Sequence, residues 1–296
     1  MAYNGGMTTE TKPRRRKFVR SVPDPLKLQP RDLAILQDVA EFRFLNSPQI
    51  LALHEGGKRN LLRRLSALFE LGFLDRPKHQ ASARLVSSHF VYSLGREGAK
   101  TLTGNAGERE TMFRRLNESE RTLPLIAHSL MISQFRVCLI LALKKRPDIK
   151  LTRWMQGNDL KQALKRSGEH PALVADAFFV LETETQSYSC FLEADRATMT
   201  EERFTNKLRM YWKHSREEGF NKSLGIPKFR VLTITPNARR AENLRQAAKK
   251  ADDKGIGSAM YLFLSETLYS TEKPEAILEA AWKSPKNEEP CAIVSI

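Results

Sequence analysis

A chain of 296 residues is longer than one ordinary domain and predicts about two. Apolar residues make up 41%, enough for a real core, which excludes a wholly disordered chain. Lysine and arginine exceed the acids by 49 to 34, and the net charge of +15 points to a polyanionic partner, nucleic acid first.

Residues 1–29 are polar, basic and proline-containing, with Arg14-Arg15-Arg16-Lys17 and Arg20 supplying most of the charge. They read as a basic flexible tail that adds sequence-independent phosphate contacts, and they lack the apolar stretch of a signal peptide. Leu33, Leu36, Val39 and Ala40 stand at helical spacing and predict a first helix over 31–42. Asn46-Ser47-Pro48 supplies a cap and a first-turn proline for a short second helix carrying Ile50, Leu51 and Leu53. After the turn His54-Glu55-Gly56-Gly57, a third helix over 58–71 buries Leu61, Leu62, Leu65, Leu68 and Phe69 and stops at Gly72. Short strands are expected at 73–76 and 90–94, joined by a polar stretch, with a closing helix at 95–102. Three helices, a β-hairpin and a return helix are the order of a winged helix-turn-helix, expected over 30–103.

Such a domain places one helix in the major groove of double-stranded DNA, with an apolar face for the core and a polar face for the bases. The third helix has both. Lys58, Arg59, Asn60, Arg63 and Arg64 crowd its first two turns; Arg and Asn suit bidentate bonds to base edges, and Lys suits phosphate. Lys78, His79, Arg84 and His89 in the wing would reach the minor groove or the backbone. A basic, solvated face on a protein-binding winged helix is the competing reading.

Residues 104–124 are polar and charged, a linker or an exposed helix. A long amphipathic helix over 125–145 follows, with Ile126, Leu130, Ile132, Phe135, Leu139, Ile140 and Leu143 on its apolar side and Pro147 beyond its end. The pattern then changes to alternating strands, expected at 151–154, 173–181, 188–195, 229–235 and 260–264, and helices, expected at 198–214, 237–250 and 275–282. Thr198 and Glu201 have capping-box spacing at the start of the first of these helices. This second domain is expected over 125–296. Cys138, Cys190 and Cys291 have neither metal-ligand spacing nor the even count of a disulfide framework. The longest apolar run, 137–143, is short of a membrane span. A reduced, cytoplasmic protein with no membrane partner is the expectation.

The strands at 173–181 and 188–195 flank a polar turn. An antiparallel hairpin centred between Glu184 and Thr185 sets Asp176 across from Glu193, with Asp195 two residues further on the same face. The surrounding sequence is apolar, as in strands covered on both faces. Three carboxylates brought together there would repel one another and lose hydration, unless a hard divalent cation with oxygen ligands, Mg²⁺ or Mn²⁺, resolves the cost. Alternatively Asp176 and Asp195 sit at strand ends facing solvent, and Glu193 pairs with Arg196 or Lys207.

Asp176 followed by Glu193-Ala194-Asp195 resembles the restriction-endonuclease-like PD-(D/E)xK nucleases. The longer string Phe191-Leu192-Glu193-Ala194-Asp195-Arg196-Ala197-Thr198-Met199, continuing to Phe204 and Lys207-Leu208, resembles the replication-relaxation family of mobile elements, as do His128 and Trp154. That family pairs an N-terminal winged helix with a nuclease-like domain and is similar to the relaxases of one plasmid mobilisation group. The resemblance implies an α+β or α/β fold, a winged helix-turn-helix followed by a restriction-endonuclease-like mixed-sheet domain. It also implies metal-dependent DNA nicking or relaxation for a plasmid or integrative element, in mobilisation or replication initiation. Other mobilisation or replication proteins are then the expected partners, and an oligomer is compatible.

Carried over to this chain, the resemblance makes Asp176 and Glu193 metal ligands. Asp195 stands where many such nucleases place a lysine. Lys207 reaching back along its helix, or Arg196 neutralising phosphate charge, would supply the missing cation; otherwise Asp195 binds a second metal. A third outcome is a degenerate nuclease fold kept for DNA binding, in a replication or transcription factor or an accessory subunit. Asp159 would add an acidic contact. Tyr211 suggests a covalent nucleophile, but its spacing with Phe204 and Leu208 favours the core, and His128 is favoured as a packed histidine over a ligand.

Overall fold

Residues 20, 26–77, 80, 89–104, 107, 122–165, 173–252 and 257–294 are described by a computed structural model of the chain. In chain order the elements are α1 (Pro30–Phe42), β1 (Leu45–Asn46), α2 (Ser47–Leu53), α3 (Lys58–Glu70), β2 (Leu74–Asp75), β3 (Val91–Leu94) and α4 (Arg96–Leu102). Then come α5 (Leu123–Lys144), β4 (Lys150–Gln156), α6 (Gly157–Lys165), β5 (Ala177–Glu182) and β6 (Ser187–Ala194). The chain continues with α7 (Glu201–Arg216), α8 (Gly219–Leu224), β7 (Arg230–Thr235), α9 (Ala238–Ala251) and β8 (Tyr261–Ser265). The class is mixed α+β, with a short three-stranded sheet and a five-stranded sheet. The chain divides into two compact units: Met1–Arg43 with Gly57–Leu123, and Phe44–Gly56 with Pro124–Ile296.

In the first unit, Pro30 opens α1, and the Asp32 carboxylate accepts from the Gln29 amide at 2.6 Å, satisfying a donor before the first turn. Ile35, Leu36, Val39 and Phe42 face inward from α1, as do Leu61, Leu65, Leu68 and Phe69 from α3. β2 and β3 pair antiparallel, Leu74 opposite Leu94 and Asp75 opposite Ser93. The return into α4 runs so close to the preceding chain that a Cβ on Gly95 or Gly98 would lie 2.2 Å from the carbonyl oxygen of Gly72 or Phe73. Only glycine fits there. Arg76 is buried, its guanidinium 4.3 Å from the Phe69 ring centroid and 4.1 Å from that of Phe90, with bonds to Ser66 Oγ and the Tyr92 hydroxyl.

The five-stranded sheet of the second unit has the order β4-β5-β6-β7-β8, antiparallel through β6 and parallel from β6 to β8. Side chains alternate between two apolar layers. Phe179, Leu181, Cys190, Leu192, Leu232 and Leu262 pack with Phe135, Cys138 and Leu139 of α5. Phe178, Phe191, Val231 and Phe263 pack with Phe204, Leu208 and Tyr211 of α7 and with Leu244 and Ala248 of α9. Burial on both faces explains the near-continuous apolar runs of β5 and β6. Within this unit the Phe44–Gly56 segment is tied to α5: the Gln49 amide donates to Gln134 Oε1 at 3.0 Å, and Ser133 Oγ donates to the Phe44 carbonyl at 2.8 Å.

By length and composition α5 is apolar enough to cross a membrane, but half of its most apolar window is buried inside the fold. It is a core helix, and the fold is compatible with a soluble protein.

Several elements differ from the sequence expectation. α7 is capped by Thr200, whose hydroxyl accepts from the Arg203 amide, instead of by Thr198. The helix expected over 275–282 is a 3-10 turn, Pro274–Ile277, followed by irregular chain. Its apolar residues are buried all the same: Trp282 is fully enclosed, bridges Cys291 and donates its indole N–H to the Ile277 carbonyl at 2.8 Å. α6 and α8 are short and mostly polar, seated by Leu160 with Leu164 and by Phe220 with Leu224.

Candidate functional site

The pairing of β5 and β6 runs from Ala177 opposite Leu192 to Glu182 opposite Ser187, the register expected for a hairpin centred at 184–185. One residue before β5, the Asp176 amide donates to the Leu192 carbonyl at 3.2 Å, and Asp176 Oδ2 accepts from the Ala194 amide at 2.8 Å. Asp176 is thus fixed against the end of β6. Glu193 shares the Phe191 face of β6 and turns toward α7.

Burial of Phe204, Leu208 and Tyr211 sets the rotation of α7. Lys207 and Tyr211, one turn apart, are then presented to Glu193: the Lys207 ammonium donates to Oε2 and the Tyr211 hydroxyl to Oε1. From α5, His128 Nε2 lies 3.0 Å from Asp176 Oδ1. Two carboxylates, one ammonium, one imidazole and one phenol therefore form a single polar cluster.

The charges are strongly coupled. Burial, with smaller help from Asp176, pushes the Glu193 carboxyl up to about 7 against the opposing pull of Lys207 and Tyr211. Burial would also raise Asp176, but His128, Lys207 and the Ala194 amide outweigh it and hold that carboxyl below its usual range. Burial lowers His128 and Lys207, and in each the neighbouring carboxylates prevail, so both are raised. Burial and Glu193 keep the Tyr211 phenol protonated. The Tyr211 ring is fully enclosed, the core placement favoured by its spacing with Phe204 and Leu208.

Asp195 has a partner that the three-carboxylate expectation did not include. Its side chain lies on the Glu193 face, as the period of two requires, but Arg240 at the start of α9 claims both oxygens, at 2.8 and 2.9 Å. Asp195 Oδ1 also accepts from the Ala197 amide, and the same guanidinium donates to the Met199 carbonyl at 2.6 Å. Asp195 and Arg240 clamp the β6–α7 connection, and from this position the Asp195 charge still acts on Lys207. Arg196 donates to the Pro124 carbonyl at 3.0 Å, Asp159 is exposed on the first turn of α6, and Trp154 stacks on Phe179.

Among the described residues, no group of three or more His, Cys, Asp or Glu is arranged to hold a metal ion. Asp176 and Glu193 nevertheless fit one kind of site. Mg²⁺ commonly takes one or two carboxylates, keeps several waters and completes its shell on substrate phosphate, and each carboxylate oxygen here has a second lone pair. An all-protein cage is not what this donor set builds.

In the first unit Lys58, Arg59, Asn60 and Arg63 are exposed on the outer side of α3. Arg64 is not available to DNA in the same way. Its guanidinium grips the fully buried Asp32 at 2.5 and 2.8 Å and the Lys27 carbonyl at 2.6 Å, fixing α3 to α1. His89 is exposed. Lys78, His79 and Arg84, most of the 1–29 tail and most of the 104–124 linker lie outside the described residues.

Sequence reasoning missed the Arg240–Asp195 clamp, and it named His128 and Tyr211 without reading their bonds to Asp176 and Glu193. For Tyr211 a signal existed, the i,i+4 spacing from Lys207. Compared with known families, the chain matches the family model described as replication-relaxation over residues 36–227, more than half of its length. That span includes His128, Asp176, Glu193, Lys207 and Tyr211, and leaves Arg240 outside. No curated protein and no solved structure matches the chain.

Proposed function

The chain belongs to the replication-relaxation family, and from that premise we propose that it is a divalent-metal-dependent DNA-nicking or relaxation protein of a plasmid or integrative element. Membership suggests a role in replication or mobilisation of mobile elements and implies interaction with DNA. The finer reading rests on one observation: Lys207, from α7, lies against Glu193 next to Asp176. It supplies the cation that the Asp195 position lacks.

Asp176 and Glu193 would hold Mg²⁺ or Mn²⁺, which when bound withdraws charge from a phosphodiester and lowers the pKa of an attacking water. Lys207 would share its ammonium between Glu193 and the scissile phosphate, countering the charge that builds in the transition state. His128 and Tyr211 would hold the two carboxylates in one orientation each. The winged helix, read over 30–103, would bring double-stranded DNA with Lys58, Arg59, Asn60 and Arg63, while Arg64 keeps α3 in place.

The test is nicking of supercoiled plasmid carrying the element's origin. Wild type is expected to nick with Mg²⁺ or Mn²⁺, and the Asp176→Ala/Glu193→Ala variant is not; normal nicking by the variant would sink the proposal. A second reading, a DNA-binding factor on a degenerate nuclease fold, is favoured by the pairing of the carboxylates: every oxygen of Asp176, Glu193 and Asp195 already accepts from a protein donor. It expects tight binding without divalent cations and no cleavage with any. Both readings expect Arg59→Ala/Arg63→Ala to lower the slope of log affinity against log salt by about 2 on duplex DNA. An unchanged slope would favour a protein-binding winged helix.

A further inference from the structure

α7 has a second face that the candidate site does not use. With Phe204, Leu208 and Tyr211 turned into the sheet, helical periodicity sends Arg203, Asn206, Arg209, Lys213 and Arg216 outward, and all five are exposed. Between Arg203 and Arg216 the helix carries no acid. Glu201 and Glu202 occupy its first turn, where they complement the helix dipole. Glu217, just past its end, lies 3.8 Å from Lys213 with both groups largely exposed, a pairing that neutralises little.

This stripe is about 20 Å long by the helical rise. Arg203 stands one turn before Lys207, so its near end adjoins the lysine that reaches Glu193. Arg209 is braced by Asn206 Oδ1 at 2.9 Å, and the Arg216 guanidinium lies 5.0 Å from the Trp212 ring centroid, so two of the four cations are held in place before any ligand arrives.

We propose that the outward stripe of α7, Arg203–Arg209–Lys213–Arg216, is the track for the phosphodiester backbone of a single DNA strand, leading to the Asp176–Glu193–Lys207 cluster. The proposal rests on reading that cluster as the phosphodiester site. It deepens that reading by naming what the second unit holds: one strand, gripped through its backbone and without regard to sequence. Complementary charge selects the partner, because a run of cations with acids only at its two ends suits a polyanion with regularly spaced phosphates.

The experiment is a salt titration of the full chain in EDTA with a fluorescein-labelled single-stranded oligodeoxynucleotide of random sequence. Arg203→Gln/Arg209→Gln/Lys213→Gln/Arg216→Gln is expected to lower the slope of log affinity against log salt by about 3, at roughly 0.7 for each phosphate no longer neutralised. A control removing as many exposed cations elsewhere, Lys144→Gln/Lys150→Gln/Lys273→Gln/Lys286→Gln, is expected to leave the slope unchanged. The proposal is overturned by an unchanged slope in the stripe variant, by an equal fall in the control, or by a fall seen only with a duplex probe. Because EDTA removes any need for cleavage, the outcome separates from the nicking test. A wild type that never nicks but loses slope in the stripe variant keeps the track and rejects the nuclease; a wild type that nicks with no slope change does the reverse.

Discussion

Lys207→Met is expected to reduce cation-dependent nicking by about a hundredfold or more, the usual loss when one preorganised charge donor is taken from a developing oxyanion. The same substitution removes the strongest influence holding the Glu193 carboxyl down against burial. In the wild type that carboxyl sits at about 7 instead of 4.5, so the folded chain holds a proton that the unfolded chain has released across that window. Stability owed to Glu193 therefore falls as pH rises from about 4.5 through about 7. A divalent cation must displace this proton, so cation affinity is expected to climb with pH across the neutral range.

Without Lys207, Glu193 is expected to bind its proton more tightly still, moving the midpoint of cation binding up by about one pH unit. Lys207→Arg should keep the midpoint near its wild-type position while restoring only part of the nicking, since a planar guanidinium cannot reproduce a point charge. Calorimetric titration of Mn²⁺ between pH 6 and 9 reads the midpoint, and plasmid relaxation reads the rate. A midpoint that stays put in Lys207→Met would remove Lys207 from the site, whatever happened to nicking.

The parts of this site legible in the sequence are those set by local periodicity. The turn between β5 and β6 is short and polar, and alternation leaves one register that buries both strands; that alone sets Ala177 opposite Leu192 and brings Asp176 to the Glu193 end of β6. Phe204, Leu208 and Tyr211 likewise fix the face of α7, and with it the reach of Lys207. What escaped depends on tertiary placement. Arg240 meets Asp195 only because β7 pairs parallel to β6 and delivers the start of α9 beside its end, a neighbourhood that no local pattern encodes. Arg64 looks like its exposed neighbours on α3 until Asp32, spent on capping α1, is seen beneath it. Trp282 and Leu278 share helical spacing because both fill the core, yet the chain between them is irregular.

Arg240→Ala is the second large effect expected, and it falls on stability. The Asp195 side chain is 3% exposed, and the substitution leaves it only the Ala197 amide. Stranding a buried charge costs about 3–5 kcal/mol, and the 14% exposure of Arg240 argues for the lower end. For a unit of this size that corresponds to a fall in melting temperature on the order of 10 °C. Removing both charges together, Asp195→Ala/Arg240→Met, should cost less than Arg240→Ala alone, because no buried charge is left behind. The alternative role for Asp195, a ligand of a second metal, makes the opposite forecast: Asp195→Asn would then abolish part of the Mn²⁺ binding with little change in melting. The clamp predicts a lower melting temperature for Asp195→Asn with Mn²⁺ stoichiometry unchanged in the protein that remains folded. Thermal melts and Mn²⁺ titrations on the same three variants therefore decide whether the third carboxylate serves the chemistry or the frame that holds Glu193 and Lys207 together.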